Sequence, residues 1–598
     1  MAKRPINYTS RDFQTIKNDL ENYAKRYYPT TFKDFSEASF GSMMLDMVAY
    51  VGDQLSFYAD FQANESFLDS AIRFENIVRL SETLGYKHTG AARSTGLVAF
   101  YMLIPVAASS RAPDTDYLPI LQAGTTLTGN SDAVFTLIED VDFSNPSNEI
   151  TVARTNTTTG NPTYFAVRAF GQVVSGQQFS EQITVGNYQR FLRLRLENSN
   201  ITEVISVKDS QGNEYFEVEH LSQDIVLSQV PNNDSSTRST VPYNIRTKPV
   251  PRRFVTEYDT SGNTFIQFGY GSSENLTSNL IADPADVVLD VNSKPYVTDQ
   301  TFDPTNLIKT DKFGVVPTST TLTIDYTANT SATSNAAVGS ITTVVTPQFK
   351  FKDRSILSET VIATMVAGIE VDNEEPILGD TAELTGDEVR ARAFGTYASQ
   401  NRAVTREDYI SLAYRMPPKF GKIKRVNVIR DEESLKRNLN LYILAESNSG
   451  NFAAPNTVLK ENLKTWLEQY KMVNDTVDIL SGNIINIGIR YKIIAELDQN
   501  KFDILENCTQ KLQDEYLNVK LNLGEPVYLS EIYKLLNQVP GVIDTTEVEL
   551  FNLTGGSYSN YTYDIRSHMS NDGRYLVIPP DAAAEVLLPG TDIVGVIA

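Results

Sequence analysis

The stretch SEASFGSMMLDMVAYVGDQLSFYADFQAN, residues 36–64, predicts one long helix whose apolar side chains cover most of its circumference. Apolar or small residues recur every seven positions on several faces, whereas only Asp46, Asp53 and Asp60 form a charged stripe. An ordinary amphipathic helix has a single apolar stripe of roughly 100°. Heptad spacing and small residues suit a close-packed bundle of helices. Two interpretations are open: helices of other chains enclose this helix, or it lies in the core of a large domain of its own chain.

The sequence on either side of this helix is also predicted to be helical. Thr9 and Ser10 are placed to cap a first helix, and Pro29 ends it. A later helix carries apolar residues at helical spacing and stops before Gly85, where a glycine commonly ends a helix. We therefore expect a first domain, residues 1–90, that is helical and forms a bundle.

The middle of the chain, residues 91–346, has an all-β pattern. Short runs of alternating apolar and polar residues are separated by turns rich in Gly, Asn, Ser, Thr and Pro. The predicted strands are 97–104, 149–153, 164–170, 191–196, 201–207, 265–268 and 322–326. A region of this length predicts two β subdomains.

Helices and strands alternate over residues 347–551, which predicts an α+β domain with ferredoxin-like or split βαβ units. Helices are expected at 387–399, 406–414, 457–470, 503–519 and 529–538, and strands at 423–429, 439–445, 484–497 and 543–550. Thr405 with Asp408 three residues later predicts a helix cap. Residues 552–598 form a tail with strands at 575–578 and 593–597. The predicted fold class is multidomain α+β, with long N-terminal helices, a β-rich middle and a C-terminal α/β domain.

Composition and charge restrict the possible partners. The 598 residues are 41% hydrophobic and 10% aromatic, as in soluble globular proteins, and the net charge is −22. Such a charge disfavours nucleic acid and anionic membranes as partners, because both would repel it. The chain has no apolar run long enough to span a membrane and no signal-peptide pattern. Its single cysteine, Cys508, allows no intramolecular disulfide, which fits a reducing compartment or simply no need of disulfides. Together these features lead us to expect a protein made in the cytoplasm.

The sequence contains no recognisable catalytic, cofactor or metal motif. His88, His220 and His568 are far apart, and none has a second ligand at zinc spacing. The run Gly269-Tyr-Gly271 lacks the third glycine of a dinucleotide-binding motif, so a tight turn is predicted there. Phosphate-binding loops, nucleophile elbows and HExxH pairs do not occur. We expect no enzyme activity, no catalytic residue, no cofactor and no metal.

One segment is basic in this acidic chain. Residues 387–437 contain twelve Lys and Arg against seven Asp and Glu. Acidic subunits repel one another unless complementary patches meet. The segment is therefore either a docking face for another acidic subunit or an ordinary solvated surface.

Several short motifs occur in the order found in one protein family. They are DFSEASFG at 34–41, LDMVA at 45–49, DQLSFY at 53–58, NESFL at 64–68, LGY at 84–86, AGT at 123–125 followed by FT at 135–136, FGYG at 268–271, AVGSI at 337–341, GDEVR at 386–390, AVTREDY at 403–409 and VPGV at 539–542. On these motifs the chain resembles the baseplate J-like proteins of contractile phage tails, and within them the large inner-ring wedge subunit of myovirus baseplates. Tyr270 stands where the family usually has Asp, and residues 142–262 match nothing in it.

The resemblance implies a structural subunit. Two copies would pair within a wedge, and their N-terminal helices would join helices of another wedge protein in a bundle. The C-terminal domains would join wedges in a ring around the hub, and sheath-initiating and hub proteins are further candidate partners. The implied location is the virion tail baseplate, after assembly in the host cytoplasm. The ring would rearrange when the tail contracts. The sequence pattern changes near residues 87–94 and near residues 347–358, and we expect a hinge at one of these two places.

The candidate interface residues come from the over-apolar helix and from the basic segment. They are Met43, Met44, Met47, Val48, Ala49, Val51, Gly52, Leu55, Ser56, Phe57, Tyr58, Ala59, Phe61, Arg402, Arg406 and Tyr409. The alternatives to a phage baseplate subunit are the equivalent subunit of another contractile injection system, a tail-associated glycan hydrolase and a host-binding adhesin.

Overall fold

The structure, a computed structural model, describes residues 11–30, 39–107, 112–129, 133–158, 160–231, 243–259, 262–271, 313–331, 333–431, 438–496, 500–518 and 520–597. The chain divides into two compact units. The first combines Met1–His88 with Glu383–Leu412, and the second combines Thr89–Ala382 with Ala413–Ala598. These two units group the chain differently from the four predicted domains, which stay a prediction.

Helices and strands are both abundant, so the predicted mixed α+β class is confirmed. The helices are α1 (Phe13–Tyr27), α2 (Phe40–Glu65), α3 (Phe74–Thr83), α4 (Glu359–Ala367), α5 (Gly386–Ser399), α6 (Arg406–Tyr414), α7 (Thr457–Glu468), α8 (Lys501–Asn518), α9 (Leu529–Asn537) and α10 (Pro589–Asp592). The strands of the β-rich middle are β1 (Thr95–Pro105), β2 (Ile120–Leu121), β3 (Thr126–Gly129), β4 (Val134–Leu137), β5 (Val141–Asp142), β6 (Glu149–Thr155), β7 (Pro162–Ser175), β8 (Gln177–Val185), β9 (Arg193–Ser199), β10 (Ile201–Asp209), β11 (Glu214–Glu217), β12 (Ile225–Pro231), β13 (Tyr243–Pro249), β14 (Arg253–Tyr258), β15 (Asn263–Phe268), β16 (Thr320–Ala328) and β17 (Ile341–Val344). The later strands are β18 (Phe349–Lys350), β19 (Glu370–Asp372), β20 (Arg425–Arg430), β21 (Asn438–Glu446), β22 (Phe452–Ala453), β23 (Thr476–Ser481), β24 (Asn483–Ala495), β25 (Val527–Tyr528), β26 (Val542–Asn552), β27 (Tyr575–Leu576), β28 (Ala582–Glu585) and β29 (Ile593–Ile597).

The first unit is helical. Asp12 caps α1, because its carboxylate accepts a hydrogen bond from the Thr15 amide at 2.9 Å. The predicted caps Thr9 and Ser10 lie outside the described residues. Ser39 caps α2, because its hydroxyl oxygen accepts a hydrogen bond from the Ser42 amide at 3.1 Å. The core of this unit joins α3 to α5 through Ala71, Ile77, Tyr86, Val389 and Ala393.

The β-rich middle contains two seven-stranded sheets with separate cores. The first has the order β17-β3-β4-β7-β1-β19, with β6 also on β7, and buries Val98, Phe100, Met102 and Ile104 of β1. The second has the order β8-β16-β10-β11-β14-β15-β9. Residues 142–262, which match nothing in the resembled family, supply strands to both sheets.

The C-terminal part of the second unit contains two four-stranded sheets and a two-stranded one, β25-β27. β21 and β23 are parallel, and α7 lies between them in sequence, which forms one βαβ crossover. In the other sheet β24 pairs antiparallel with β26 and parallel with β28 and β29. Its core also holds Tyr563, Leu576 and Ile593, so residues 552–598 are built into this core. Ferredoxin-like topology stays a prediction.

Polar contacts fix the start of β1 within the second unit. The Ser94 amide donates to Ser175 Oγ at 3.0 Å, and the Ser94 hydroxyl donates to Asn335 Oδ1 at 2.8 Å. Asn329 Nδ2 donates to the Ala92 carbonyl at 2.9 Å. These hydrogen bonds therefore fix Ala92–Ser94, part of one predicted hinge, to other residues of the second unit. None of the described helices is long and apolar enough to cross a bilayer.

Candidate assembly interface

α2 is covered on one side only. Of its 26 residues, Ser42, Ala49, Asn64 and Glu65 are buried. Ten large apolar residues of the same helix are between 44% and 74% exposed. They are Phe40, Met43, Met44, Met47, Val48, Tyr50, Val51, Leu55, Phe57 and Tyr58. We call this set the free face of α2.

The free face is wide and has a heptad seam at its centre. At 100° per residue its members span an arc of about 180°. Phe40, Met44, Met47, Val51 and Tyr58 lie on the alternating spacing of four and three residues that coiled coils place at their seam, and Gln54 holds the one position between Val51 and Tyr58. The other members flank this seam on both sides. The surface therefore has the pattern of a bundle interface on more than one flank.

The covered side faces α1 through small residues. Ala49 is fully buried, and a Cβ added at Gly52 would lie 3.3 Å from the Ile16 side chain. Lys17 Nζ lies 2.7 Å from Asp46 Oδ1 on the same side. The small stripe seen in the sequence thus brings α1 close to α2 inside the chain.

The structure separates the predicted interface residues into three groups. Exposed on α2 are Met43, Met44, Met47, Val48, Val51, Leu55, Phe57, Tyr58 and Ala59, and half-buried are Gly52, Ser56 and Phe61. Ala49 and Tyr409 are buried within the chain at 0% and 1% exposure, so neither side chain is presented to a partner. Arg402 and Arg406 are exposed. The interface role of the exposed residues stays a prediction.

Other exposed apolar residues of this unit were missed from the sequence. Tyr50 belongs to the free face, and its heptad position with Phe57 was visible in the sequence. Phe394 and Tyr397 of α5 are 48% and 64% exposed, and Val404 is 56% exposed. The α5 residues were not predicted, because in this helix the smaller residues Val389, Ala393, Thr396 and Ser399 are buried and the aromatic ones are exposed.

The turn between α2 and α3 is held by motif residues. Glu65 accepts hydrogen bonds from the Ile72 amide at 2.8 Å, the Arg73 amide at 3.2 Å and Asn76 Nδ2 at 2.7 Å. Arg390 Nε donates to the Leu68 carbonyl at 2.8 Å. The NESFL and GDEVR motifs therefore meet in one joint, which fixes the direction in which α2 leaves the core of its unit.

Electrostatics at this joint favour a charged Glu65. Burial alone would raise the pKa of Glu65, but the hydrogen bonds from Asn76, Ile72 and Arg73 outweigh it and lower the pKa below its ordinary value. The carboxylate thereby satisfies two backbone amides at the start of α3. Glu65 therefore has a structural role in this joint, and its carboxylate binds a proton only in acid.

Three cations of the basic segment make contacts within the chain, and the docking-face interpretation of the segment stays a prediction. Lys422 Nζ donates to the Gly90 carbonyl at 2.8 Å, and Lys424 Nζ lies 2.9 Å from Glu446 Oε2. Arg425 is buried and donates to the Lys520 carbonyl at 2.7 Å. These cations serve contacts within the second unit, and the spacing of charges along the sequence could not show that.

Chemistry-bearing residues have packing roles where the structure describes them. His568 stacks on Tyr563 with ring centroids 4.4 Å apart, and His88 meets Phe74 edge-on at 6.0 Å. A Cβ at Gly269 would lie 2.0 Å from the Phe313 carbonyl oxygen, so the glycine there permits close backbone approach. Within the described ranges, no group of three or more His, Cys, Asp or Glu residues is arranged to hold a metal ion.

Residues 12–83 match the family model described as "Bacteriophage baseplate protein, N-terminal domain". The matched segment contains α1, α2 and α3, and therefore the whole free face of α2. It supports a place for this chain among baseplate proteins. No curated protein matches the chain.

Two solved structures show remote likeness. One is the cryo-EM structure of the anti-feeding prophage (AFP) baseplate, with 11% identity over 97% of this chain and 100% of that chain and a TM-score of 0.26. The other is the type VI secretion system TssK-TssF-TssG baseplate subcomplex, with 9% identity over 74% of this chain and 96% of that chain and a TM-score of 0.23.

Proposed function

We propose that this protein is a structural subunit of a contractile-tail baseplate, and that helices of other subunits cover the free face of α2. One observation carries the proposal: the chain exposes ten large apolar residues along a single helix. Soluble monomers rarely expose a contiguous apolar surface of that extent, and such surfaces mark sites of association. The match of residues 12–83 to a baseplate N-terminal domain supports the same role.

Covering the free face stabilises an assembly substantially. Removing about half of a large apolar side chain from water contributes about 1 kcal/mol. Ten such residues give on the order of 10 kcal/mol before the entropic cost of association, which is of similar size. A few additional contacts then suffice for a stable complex.

The width of the free face requires more than one neighbour. One helix covers an apolar stripe of roughly 100°, whereas the free face spans about 180°. At least two helices are therefore needed. In the proposal one comes from a second copy of this chain and the other from a different baseplate wedge protein, as the family resemblance implies.

The finer assignment follows the resemblance to inner-ring wedge subunits. Residues 1–90 would form the shared bundle, and residues 347–551 would join neighbouring wedges in a ring around the hub. Unlike contacts on each subunit close into a ring when the rotation between subunits permits it. On tail contraction the subunits would rotate as rigid bodies, so that packed elements move without refolding. The equivalent position in another contractile injection system is the alternative.

A charge placed on the free face tests this role. Val51 is 55% exposed on the seam of α2, and Val473 is 99% exposed in the second unit. We expect Val51→Glu to fold with unchanged stability but to be excluded from assembled particles, because a buried charge at an interface is costly. Val473→Glu, the matched control, should enter particles normally. Normal incorporation of Val51→Glu would overturn the proposal.

A further inference from the structure

Three side chains that are far apart in the sequence meet within the second unit: Lys520, Asn451 and Glu585. Asn451 directly precedes β22, Lys520 follows α8, and Glu585 is the last residue of β28. The neighbours Phe452 and Ala583 belong to one buried apolar cluster. The fold therefore brings an amine, a carboxamide and a carboxylate together at the edge of a packed core.

The amine of Lys520 lies between the other two groups. Its Nζ donates to Glu585 Oε1 at 2.8 Å and to Asn451 Oδ1 at 3.1 Å. The carbonyl carbon Cγ of Asn451 is only one C=O bond, about 1.2 Å, from that oxygen. A small rotation of either side chain therefore brings Nζ to the separation of about 3–3.5 Å from which a nucleophile attacks.

The carboxamide of Asn451 is held in the orientation that this attack needs. Its Nδ2 donates to Ser449 Oγ at 3.3 Å and to the Leu587 carbonyl at 3.4 Å. These two acceptors fix which end of the carboxamide is the nitrogen. The oxygen, and with it the carbonyl carbon, therefore faces Lys520.

The site is shielded from water. The Lys520 and Glu585 side chains are 10% and 1% exposed, and Lys520 Nζ lies 5.9 Å from the centre of the Phe452 ring. A cavity of about 10 Å³ borders both Lys520 and Glu585, and it has room for one molecule of about the size of water. Exclusion of bulk water protects a reacting group from hydrolysis.

Glu585 is placed to accept and return protons. Its Oε1 accepts from Lys520 and from the Phe452 amide at 3.0 Å, whereas its Oε2 is buried and has no hydrogen-bond partner among the described residues. Burial raises the pKa of Glu585 above its ordinary value, although the charge of Lys520 opposes this shift. Such a carboxylate can take a proton from the adjacent ammonium, and only the neutral amine is a nucleophile.

We propose that Lys520 and Asn451 form a spontaneous isopeptide cross-link, with Glu585 as the proton acceptor. Lys520 Nζ gives one proton to Glu585 and attacks Asn451 Cγ, which forms the new C–N bond. Through Glu585 a second proton moves from Nζ to the departing nitrogen, the Cγ–Nδ2 bond breaks and ammonia leaves. The ammonia takes up the proton that remains on Glu585, so the carboxylate is regenerated and no oxidant or co-reactant is needed.

The cross-link closes a long loop within the second unit. Asn451 and Lys520 are about 70 residues apart, and β22, α7, β23, β24 and α8 lie between them. Closing such a loop restricts the unfolded chain and thereby favours the folded state. The single cysteine, Cys508, cannot provide an intramolecular disulfide, so the isopeptide bond gives this chain a covalent tie by another route. This inference goes beyond the baseplate role and does not rest on it.

Mass spectrometry of the denatured full-length chain tests the proposal. We expect an intact mass below the value for the sequence by about 17 Da, the mass of the ammonia that is lost. A protease digest should contain one branched peptide that joins the segment around Asn451 to the segment around Lys520. A cyclic imide at an asparagine has the same mass loss but gives only linear peptides, so the digest decides between the two.

Variants assign the role of each group. Lys520→Met removes the nucleophile and should restore the full sequence mass. Lys424→Met is the matched control, because Lys424 Nζ forms another buried ion pair 2.9 Å from Glu446, and this variant should keep the mass loss. Glu585→Gln retains the amine and the carboxamide but accepts no proton, so cross-linking should slow by at least about a hundredfold.

Circular dichroism establishes that each variant is folded. Should Lys520→Met lose its fold, Asn451→Ala replaces it, because that variant keeps the ion pair between Lys520 and Glu585. A wild-type chain at the full sequence mass overturns the inference. A mass loss with linear peptides alone, or one that persists in Lys520→Met, overturns it as well. None of these results bears on the role of α2, which Val51→Glu tests separately.

Discussion

The two long helices α2 and α8 differ in what covers them. In α8 the apolar residues Ile504, Cys508 and Leu512 repeat every four positions on one stripe, and all three are buried by their own chain. In α2 the apolar residues surround most of the helix, and the chain buries only the small residues Ser42 and Ala49 and, at the C-terminal end, Asn64 and Glu65. Helix length is therefore not what marks an assembly element. What indicates an assembly element is the part of a helix surface that is apolar and that its own chain leaves exposed.

The largest expected effect on stability comes from comparing the covered side of α2 with its exposed side. Ala49→Glu places a carboxylate at a fully buried position on the covered side of α2, and we expect it to lower the free energy of unfolding of the first unit by about 4 kcal/mol. Ala59→Glu is the matched change on an exposed position and should alter that stability by less than about 0.5 kcal/mol. Urea denaturation followed by far-UV circular dichroism measures both. Equal effects of the two variants would show that α2 does not have two distinct sides.

The second prediction compares α8 with α2 directly. Leu512→Ala should cost about 3 kcal/mol, because it leaves a cavity in the core around β24. Leu55→Ala removes a side chain that is 64% exposed and should cost less than about 0.5 kcal/mol in the isolated subunit. Trp466 fluorescence follows unfolding of the second unit, and circular dichroism follows both. A large loss of stability in Leu55→Ala would mean that the isolated chain already covers the free face.

Much of the fold follows from the sequence, because period and turn chemistry are local. β1, β7, α6 and α7 appear close to where alternation or helical spacing predicts them. Thr405 and Asp408 form the predicted cap, with the Thr405 amide 2.8 Å from Asp408 Oδ2 and the Asp408 amide 3.2 Å from the Thr405 hydroxyl. Their partners are neighbours in sequence, so pattern was sufficient.

The features that sequence reasoning missed depend on contacts between distant residues. Ala49 was expected at a partner interface, but the same small side chain equally allows α1 to approach, and only the structure shows which helix does so. Nothing in the local sequence indicates that Tyr409 is buried. Glu65 and Arg390 both bind the turn between α2 and α3, although they are 325 residues apart in the sequence. No local sequence pattern can reveal such a contact.

The third prediction concerns the joint that aims α2. Glu65 has a pKa lowered in the folded state, so its stabilising contribution is fully present above its ordinary value of 4.5 and is lost as the pH falls through the folded value. Glu65→Gln should cost about 2 kcal/mol at neutral pH. It should also flatten the acid dependence of stability below about pH 4.5. A variant with the wild-type acid profile would exclude Glu65 as the titrating group.

The smallest effect is expected for the ion pair between α1 and α2. The Lys17 and Asp46 side chains are 16% and 37% exposed, and such partly solvated pairs contribute less than about 1 kcal/mol. Asp46→Asn should therefore change stability far less than Ala49→Glu, although both positions lie on the covered side. A double-mutant cycle with Lys17→Met measures the pair itself. A coupling larger than about 2 kcal/mol would show that charge, in place of close packing, holds α1 to α2.

The most direct measurement is oxidative footprinting of the three methionines on the free face. Met43, Met44 and Met47 are 49%, 44% and 59% exposed in the chain. In the isolated subunit they should oxidise readily, and in assembled particles they should be protected by at least about tenfold, since partner helices exclude the oxidant. Met472, which is 50% exposed in the second unit, provides an internal reference for labelling in both samples. Equal oxidation of the three methionines in subunit and particle would contradict the burial of α2 against other chains.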